Sequence, residues 1–323
     1  MKTRATPGFD RRQFLVSTSF AVAGALLSSR ELLAMSDSVS ASGLVQKARE
    51  RAAAATIKVQ SLRGDVSVLT GSGGDIAVLP GRNGKLLVDA GYAVNRPKIS
   101  DALAGISSDP IRHLVNTHWH FDHTDGNEWL HAEGATILAH KNTRKHLSTT
   151  TEVKGWDYTF PPAPAGAIPA DVFSDARTLH LNGATIVLKY YQPAHTDGDI
   201  SIYFTDADIL HAGDTFWNGY YPFIDYSTGG NIDGMIRATE MNVTTATEKT
   251  IIIPGHGPVT DKSQLVVYRD MLAEIREKVA SFKKQGKSLD ETIAAKPTAA
   301  YDAKWGGGGM TPALFTGLVY SGV

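Results

Sequence analysis

The segment His118-Trp119-His120-Phe121-Asp122-His123 sets four potential metal ligands within six consecutive residues, directly after the apolar run from Ile111 to Asn116. Imidazole and carboxylate groups beside a core strand are costly to desolvate unless something pairs them, and a divalent cation does so. In an extended stretch, residues two apart project to the same side, so His118 and His120 converge on one ion. Asp122 and His123, at the following turn, are free to face a second. The chain has no cysteine, which removes thiolate zinc sites, cysteine nucleophiles and a disulfide framework. Any metal is held by nitrogen and oxygen.

Three more groups stand at the ends of apolar runs with glycine nearby: Pro193-Ala194-His195-Thr196-Asp197-Gly198, Leu210-His211-Ala212-Gly213-Asp214-Thr215 and Ile253-Pro254-Gly255-His256-Gly257. Together with the histidine motif, and in this order, they resemble the signature of the metallo-β-lactamase superfamily over about Asp65 to Pro258. The resemblance implies one metal site from His118, His120 and His195 and a second from Asp122, His123 and His256, with Asp214 bridging. It implies two zinc ions per chain, although nitrogen and oxygen donors suit iron or manganese as well. Two such ions about 3.5–4 Å apart lower the pKa of a shared water from about 15.7 toward 7, so the nucleophile is a hydroxide and no serine is required. Asp122 then orients that hydroxide or accepts its proton. The remaining histidines, His113, His131, His140, His146, His180 and His211, read as structural, with His211 placed in the strand before Asp214, where it can support a ligand.

A small-molecule substrate pocket is expected beside the metals. Trp119, Phe216, Trp217, Tyr220 and Tyr221 are its candidate apolar wall, together with Phe121 inside the metal motif and Phe223 at the end of the aromatic run, and Tyr220 or Tyr221 is a candidate donor to a developing oxyanion. Antibiotic-hydrolysing members of the family usually carry cysteine or serine where Asp214 stands, which sets class B β-lactamase activity second to hydrolysis of an ester, lactone, thioester or lactam. Thioesterases of the glyoxalase II kind share the aspartate but have a basic neighbourhood, whereas no Lys or Arg occurs between Lys189 and Arg237. A neutral substrate is favoured on that count. The other alternative is a mononuclear iron dioxygenase on the same fold.

These side chains need strand ends to hold them. Short apolar runs between Gly and Asn punctuation read as buried strands at Val66 to Leu69, Asp75 to Leu79, Lys85 to Asp89, Ile111 to Asn116 and Ala135 to Leu138. A second group follows at Thr178 to Leu181, Ala184 to Tyr191, Ile200 to Phe204, Ile209 to His211 and Thr250 to Ile253. Helices are expected at Gly43 to Ala55, Pro97 to Ile106, Asp125 to Ala132, Asn142 to Leu147, Asn231 to Glu248 and Asp261 to Gln285. Two strand-rich halves, each followed by helices, predict an α/β protein: a four-layer αβ/βα sandwich of two mixed sheets with helices on the outer faces. Trp156 to Asp175, with four prolines, reads as a long surface loop, and Gly306 to Gly309 as a flexible turn with no Lys-Ser/Thr after it to make a phosphate loop.

At 323 residues, with 42% hydrophobic and 20% charged residues, the composition is that of an ordinary globular protein. A formal net charge of −1 without a long basic run excludes the footprint of a nucleic-acid binder. The paired Arg11-Arg12 before a softened apolar stretch ending near Leu27 resembles a twin-arginine export signal, and the stretch is too short for a stable transmembrane segment. That resemblance divides the chain into an export signal and spacer, 1–42, and a catalytic domain, 43–323. It implies passage through the twin-arginine translocase to a periplasmic or secreted location.

Overall fold

The computed structural model describes residues 42–323, so the expected export signal lies outside the described residues but for its last position. The chain opens with helix α1 (Ser42–Ala54) and then builds a sheet from an antiparallel meander, β1 (Lys58–Ser61), β2 (Ser67–Thr70), β3 (Ile76–Leu79) and β4 (Lys85–Val88). Helix α2 (Arg96–Ile106), with Pro97 in its first turn, carries the chain over to β5 (Ile111–Val115), which lies parallel to β4. The short helix α3 (Phe121–Thr124) and α4 (Asn127–Ala132) lead to β6 (Thr136–His140), again parallel. Helix α5 (Lys141–Ser148) follows, then a small hairpin of β7 (Thr151–Val153) and β8 (Tyr158–Phe160).

The proline-rich stretch is not a plain loop. It contributes β8 and, beyond its prolines, β9 (Asp171–Phe173), which pairs parallel to β6 and completes a seven-stranded sheet in the order β1-β2-β3-β4-β5-β6-β9. All four prolines fall between these two strands, where no ladder hydrogen bond is needed from them.

The second sheet has the order β10 (Ala176–Leu181), β11 (Ala184–Tyr190), β12 (Ile200–Phe204), β13 (Ile209–His211), β14 (Ile251–Ile253) and β15 (Thr260–Asp261). It is antiparallel except for the parallel pair β13 and β14, joined through helix α6 (Ile232–Thr245). Helix α7 (Lys262–Lys284) begins at Asp261, whose carboxylate accepts from the backbone of Ser263 and Gln264. The chain ends in α8 (Leu289–Ala294), α9 (Asp302–Trp305) and α10 (Pro312–Gly322).

Burial divides along the expected layers. Val68, Ala77, Leu86 and Val115 of the first sheet meet Ile186, Leu188, Ile202 and Ile209 of the second in one core between the sheets. The opposite face of the first sheet, through Val78, Leu87 and Leu114, packs on Ile99 and Leu103 of α2 and Leu130 of α4. The outer face of the second, through Leu210 and Ile252, packs on α6, α7 and α10. The result is the four-layer sandwich of two mixed sheets. Among the described residues, no helix is long and apolar enough to cross a membrane.

Candidate metal centre

Every one of the family-signature side chains leaves the end of a strand. His118 and His120 lie on the extended segment after β5, Asp122 and His123 on α3, His195 beyond β11, Asp214 in the turn after β13, and His256 after β14. Two groups form: His118, His120, His195 and Asp214, all buried, and Asp122, His123 and His256. Within each group the donor atoms lie within 4.8 Å of one another. Asp214 stands between them, with Oδ1 3.1 Å from His123 Nε2 and Oδ2 3.3 Å from His195 Nε2, 3.4 Å from His256 Nε2 and 3.9 Å from His118 Nε2.

The tautomers follow from the partners on the far side of each ring. The Thr117 hydroxyl donates its one proton to Asp89 at 2.7 Å, so its oxygen accepts from His118 Nδ1 at 3.0 Å, and the His118 Nε2 lone pair faces the site. His195 Nδ1 donates to the Phe223 carbonyl at 2.8 Å, which leaves Nε2 as its acceptor. His120 is turned the other way: Nε2 donates to Asp225 at 3.1 Å and Nδ1 carries the lone pair. His123 Nδ1 donates to Asp89 at 2.8 Å. The consequence is direct. His120 Nδ1 and His195 Nε2 face each other at 2.8 Å with their ring protons committed elsewhere, an arrangement that is repulsive unless a cation sits against both. His118 Nε2 and Asp214 Oδ1 are buried and make no hydrogen bond among the described residues. Orphaned buried atoms of this kind point to a missing partner, and the donor set fits divalent metal.

Electrostatics agrees. Burial holds His118 well below the ordinary imidazole range and His195 down to about 4, the neutral form a metal ligand requires. Burial pushes His123 and His256 the same way, but Asp214 and Asp122 outweigh it, raising His123 well above that range and His256 to about 10. Burial also opposes ionisation of Asp214, yet His256 and His123 hold its pKa well below the carboxylate range. The two acids therefore stay ionised in a dry site and demand positive charge, which protons supply on His123 and His256 until a metal displaces them.

Glycine makes the close approach feasible. A Cβ on Gly74 would lie 2.1 Å from the His123 ring, and one on Gly255 would lie 1.9 Å from Asp214 Oδ1. Asp89 and Asp225, which orient the ligand rings, were not legible in the sequence. Asp89 carries a left-handed backbone (φ 66°) just past β4 and gathers the Thr117 N–H, the Thr117 hydroxyl and His123. The only signal was an aspartate at the mouth of an apolar strand. His211 lies close by, its Nε2 donating to the Asp75 carbonyl at 2.9 Å, while its pKa is lowered by burial.

A cavity of about 270 Å³ opens over His120, Asp122 and Asp214. Of the expected wall residues, Phe121, Phe223 and Trp217 line it, the Trp217 ring 4.3 Å from that of His256. The others are elsewhere. Trp119 is core, its indole N–H donating to Thr228 and its ring edge-on to Phe160. Phe216 is fully buried against Tyr268. Tyr221 stacks on Phe315 and donates its hydroxyl to Asp302 at 2.8 Å, so it is no oxyanion donor. Tyr220 is exposed over Gly308, outside the lining. The reason is alternation: Trp217 forms an extended bridge with His256, so its side chain faces the cavity while that of Phe216 turns to the core. The rest of the wall comes from Trp156 and from α1, neither of which the sequence places at the site.

A model of the metallo-beta-lactamase superfamily matches residues 69–268. The probable metallo-hydrolase YqgX of Bacillus subtilis (strain 168) is 27% identical over 154 residues, 46% of this chain and 69% of that protein. Among solved structures, the DIM-1 metallo-beta-lactamase superposes with a TM-score of 0.54 at 19% identity, covering 68% of this chain and 97% of that one. The inverting sec-alkylsulfatase Pisa1 from Pseudomonas sp. gives 0.62 at 13% identity, covering 82% of this chain and 50% of that one. At these identities the structural likeness is one of fold.

Proposed function

Because the chain belongs to the metallo-beta-lactamase superfamily and is a metallo-hydrolase homologue, we propose that it is a zinc-dependent hydrolase with two metal ions, cleaving an ester, lactone, thioester or lactam bond of a small molecule. The observation that carries this reading is the pair of unprotonated ring nitrogens of His120 and His195 facing each other at 2.8 Å beside a complete second group, Asp122, His123 and His256. His118, His120 and His195 would hold one ion, Asp122, His123 and His256 the other, and Asp214 would lie between them. When bound, such ions supply hydroxide at neutral pH and polarise the scissile carbonyl.

The protein's own part is positional. Asp89, Thr117, Asp225 and the Phe223 carbonyl fix the ring tautomers before metal arrives. Asp122 Oδ2, 3.2 Å from His256 Nε2, faces the cavity and is placed to take a proton from the attacking water. The aromatic wall keeps bulk water away from the reacting bond.

The test is metal content of anaerobically purified protein together with turnover on lactones, thioesters, alkyl sulfates and β-lactams. Two zinc ions per chain and hydrolysis of an acyl bond are expected. His118→Ala and Asp214→Ala should each lower kcat/KM by more than about 10²-fold with the far-ultraviolet circular dichroism unchanged. One iron per chain with oxygen consumption would instead make the protein a dioxygenase, and turnover by either variant stripped of metal would overturn the site.

A further inference from the structure

The cavity is walled by two segments outside the span that the superfamily model matches. One is α1, which presents Leu44, Val45, Ala48 and Arg51; the other is the glycine-rich turn, which presents Gly309 and Met310. Helix α1 is not loosely laid there. Arg49 pairs with Asp125 at 2.8 Å, three residues beyond Asp122, and stands over the Phe121 ring at 5.4 Å. Lys98 closes its far end by donating to the carbonyls of Ala53 and Ala55. Val45 and Ala52 are buried in a small core with Tyr92 and Phe121, against which Ala48 and Trp156 pack.

Charge is unevenly placed on this wall. Apart from the ligand histidine His120, Arg51 is the one basic residue lining the cavity. It is exposed at the mouth, and among the described residues no carboxylate pairs with it; its Nε donates only to the Lys47 carbonyl at 3.3 Å. The remainder of the α1 face is aliphatic. A ligand that uses the whole wall is therefore apolar next to the metals and anionic at its outer end. The absence of Lys and Arg between Lys189 and Arg237 had favoured a neutral substrate, but the cation arrives from a helix far away in sequence.

Resting on the hydrolase reading above, we propose that α1 is the specificity element of this enzyme and selects a small acyl substrate with one carboxylate, its apolar part against Leu44, Val45 and Ala48 and its carboxylate on Arg51.

The experiment uses the zinc-loaded protein and a matched ester pair, 4-nitrophenyl butyrate and mono-4-nitrophenyl glutarate. The readout is the ratio of kcat/KM for the carboxylate over the neutral ester. Arg51→Gln should lower that ratio about three- to fivefold, the range of one exposed ion pair, through KM rather than kcat. Arg51→Glu should lower it further. The wild-type ratio should fall with added salt, and Lys58→Gln, which changes net charge by the same amount away from the cavity, should keep the wild-type ratio. Ala48→Phe should shift preference toward shorter acyl chains. A ratio unmoved by Arg51→Glu overturns the proposal. The corresponding anilides, titrated by calorimetry, report the same ratio for binding, so a protein inactive on both esters and on the lactones, thioesters and β-lactams above defeats the hydrolase reading while the anilide pair still decides the role of Arg51.

Discussion

His118 owes its tautomer to a residue 29 positions earlier: Asp89 accepts the hydrogen bond of the Thr117 hydroxyl, the Thr117 oxygen accepts that of His118 Nδ1, and Nε2 is left bare toward the site. The same carboxylate oxygen orients His123, so one side chain orients a ring in each of the two ligand groups. Asp89→Asn isolates this role, because asparagine tolerates the left-handed backbone at φ 66°. Its amide would present hydrogens where only an acceptor serves. Zinc affinity should fall about 10- to 100-fold, measured by competition with a chromogenic chelator; an affinity equal to wild type would remove Asp89 from the site. Residues of this kind escape sequence reading for a physical reason. The ligand types in His118 to His123 are concentrated and cannot be buried unpaired, whereas Asp89 and Asp225 are single carboxylates: the nearest partner of Asp89 lies 28 residues away, and Asp225 reaches its ligand ring, His120, across 105 residues. Aromatic side chains near Asp214 failed in the opposite way. Composition marks the run from Phe216 to Phe223 for the pocket, but strand alternation and core packing decide which of its aromatics face it, and only Trp217 and Phe223 do.

Strands that announce themselves by apolar runs were readable to within a residue or two, and the ligands could be assigned to their ends. β1 was not, since all its residues are exposed and its sequence KVQS has no buried face. β9 exists because β6 offers a parallel edge, a tertiary cause invisible in three residues. α10 did carry a signal, Thr311 as cap and Pro312 at the first turn, in a stretch where only the glycine run had been read. The best local prediction was Asp261 at the start of α7. Its carboxylate is held below its ordinary pKa of 3.8 chiefly by the Ser263 hydroxyl; burial opposes this, and the Gln264 and Ser263 N–H groups add to it. A depressed folded-state pKa means that the stability is present in full above the unfolded value and is lost as pH falls through the folded one. Asp261→Ala should therefore cost about 1 kcal/mol in urea unfolding at pH 7. The gap should narrow as the pH falls below the ordinary value of 3.8 and through the lowered one. A gap that persists in acid would assign the effect to something other than the cap.

At the scale of the whole chain, two questions concern how the enzyme is delivered and what joins its halves. We propose that residues 1–42 direct export through the twin-arginine translocase, a route that carries folded proteins and so suits a metalloenzyme loaded beforehand. Replacing both Arg11 and Arg12 by Lys should keep the full-length protein in the cytoplasm, read by fractionation; undiminished periplasmic delivery would contradict the signal. The second question turns on the origin of the ligands. His118, His120, Asp122 and His123 follow a strand of the first sheet, whereas His195, Asp214 and His256 follow strands of the second. Metal held among them would tie the ends of the two sheets together and so favour the folded chain over the unfolded one. At metal concentrations about 1,000-fold above Kd this linkage is worth about 4 kcal/mol. With about 2–4 °C per kcal/mol for a domain of this class, chelation should lower Tm by roughly ten degrees, and added zinc should restore it. The Asp214→Ala protein, lacking the residue between the groups, should respond much less to the chelator. Equal melting of wild-type protein with and without metal would mean that the two sheets hold this geometry by their apolar interface alone, and that the repulsion between His120 and His195 is relieved without a cation.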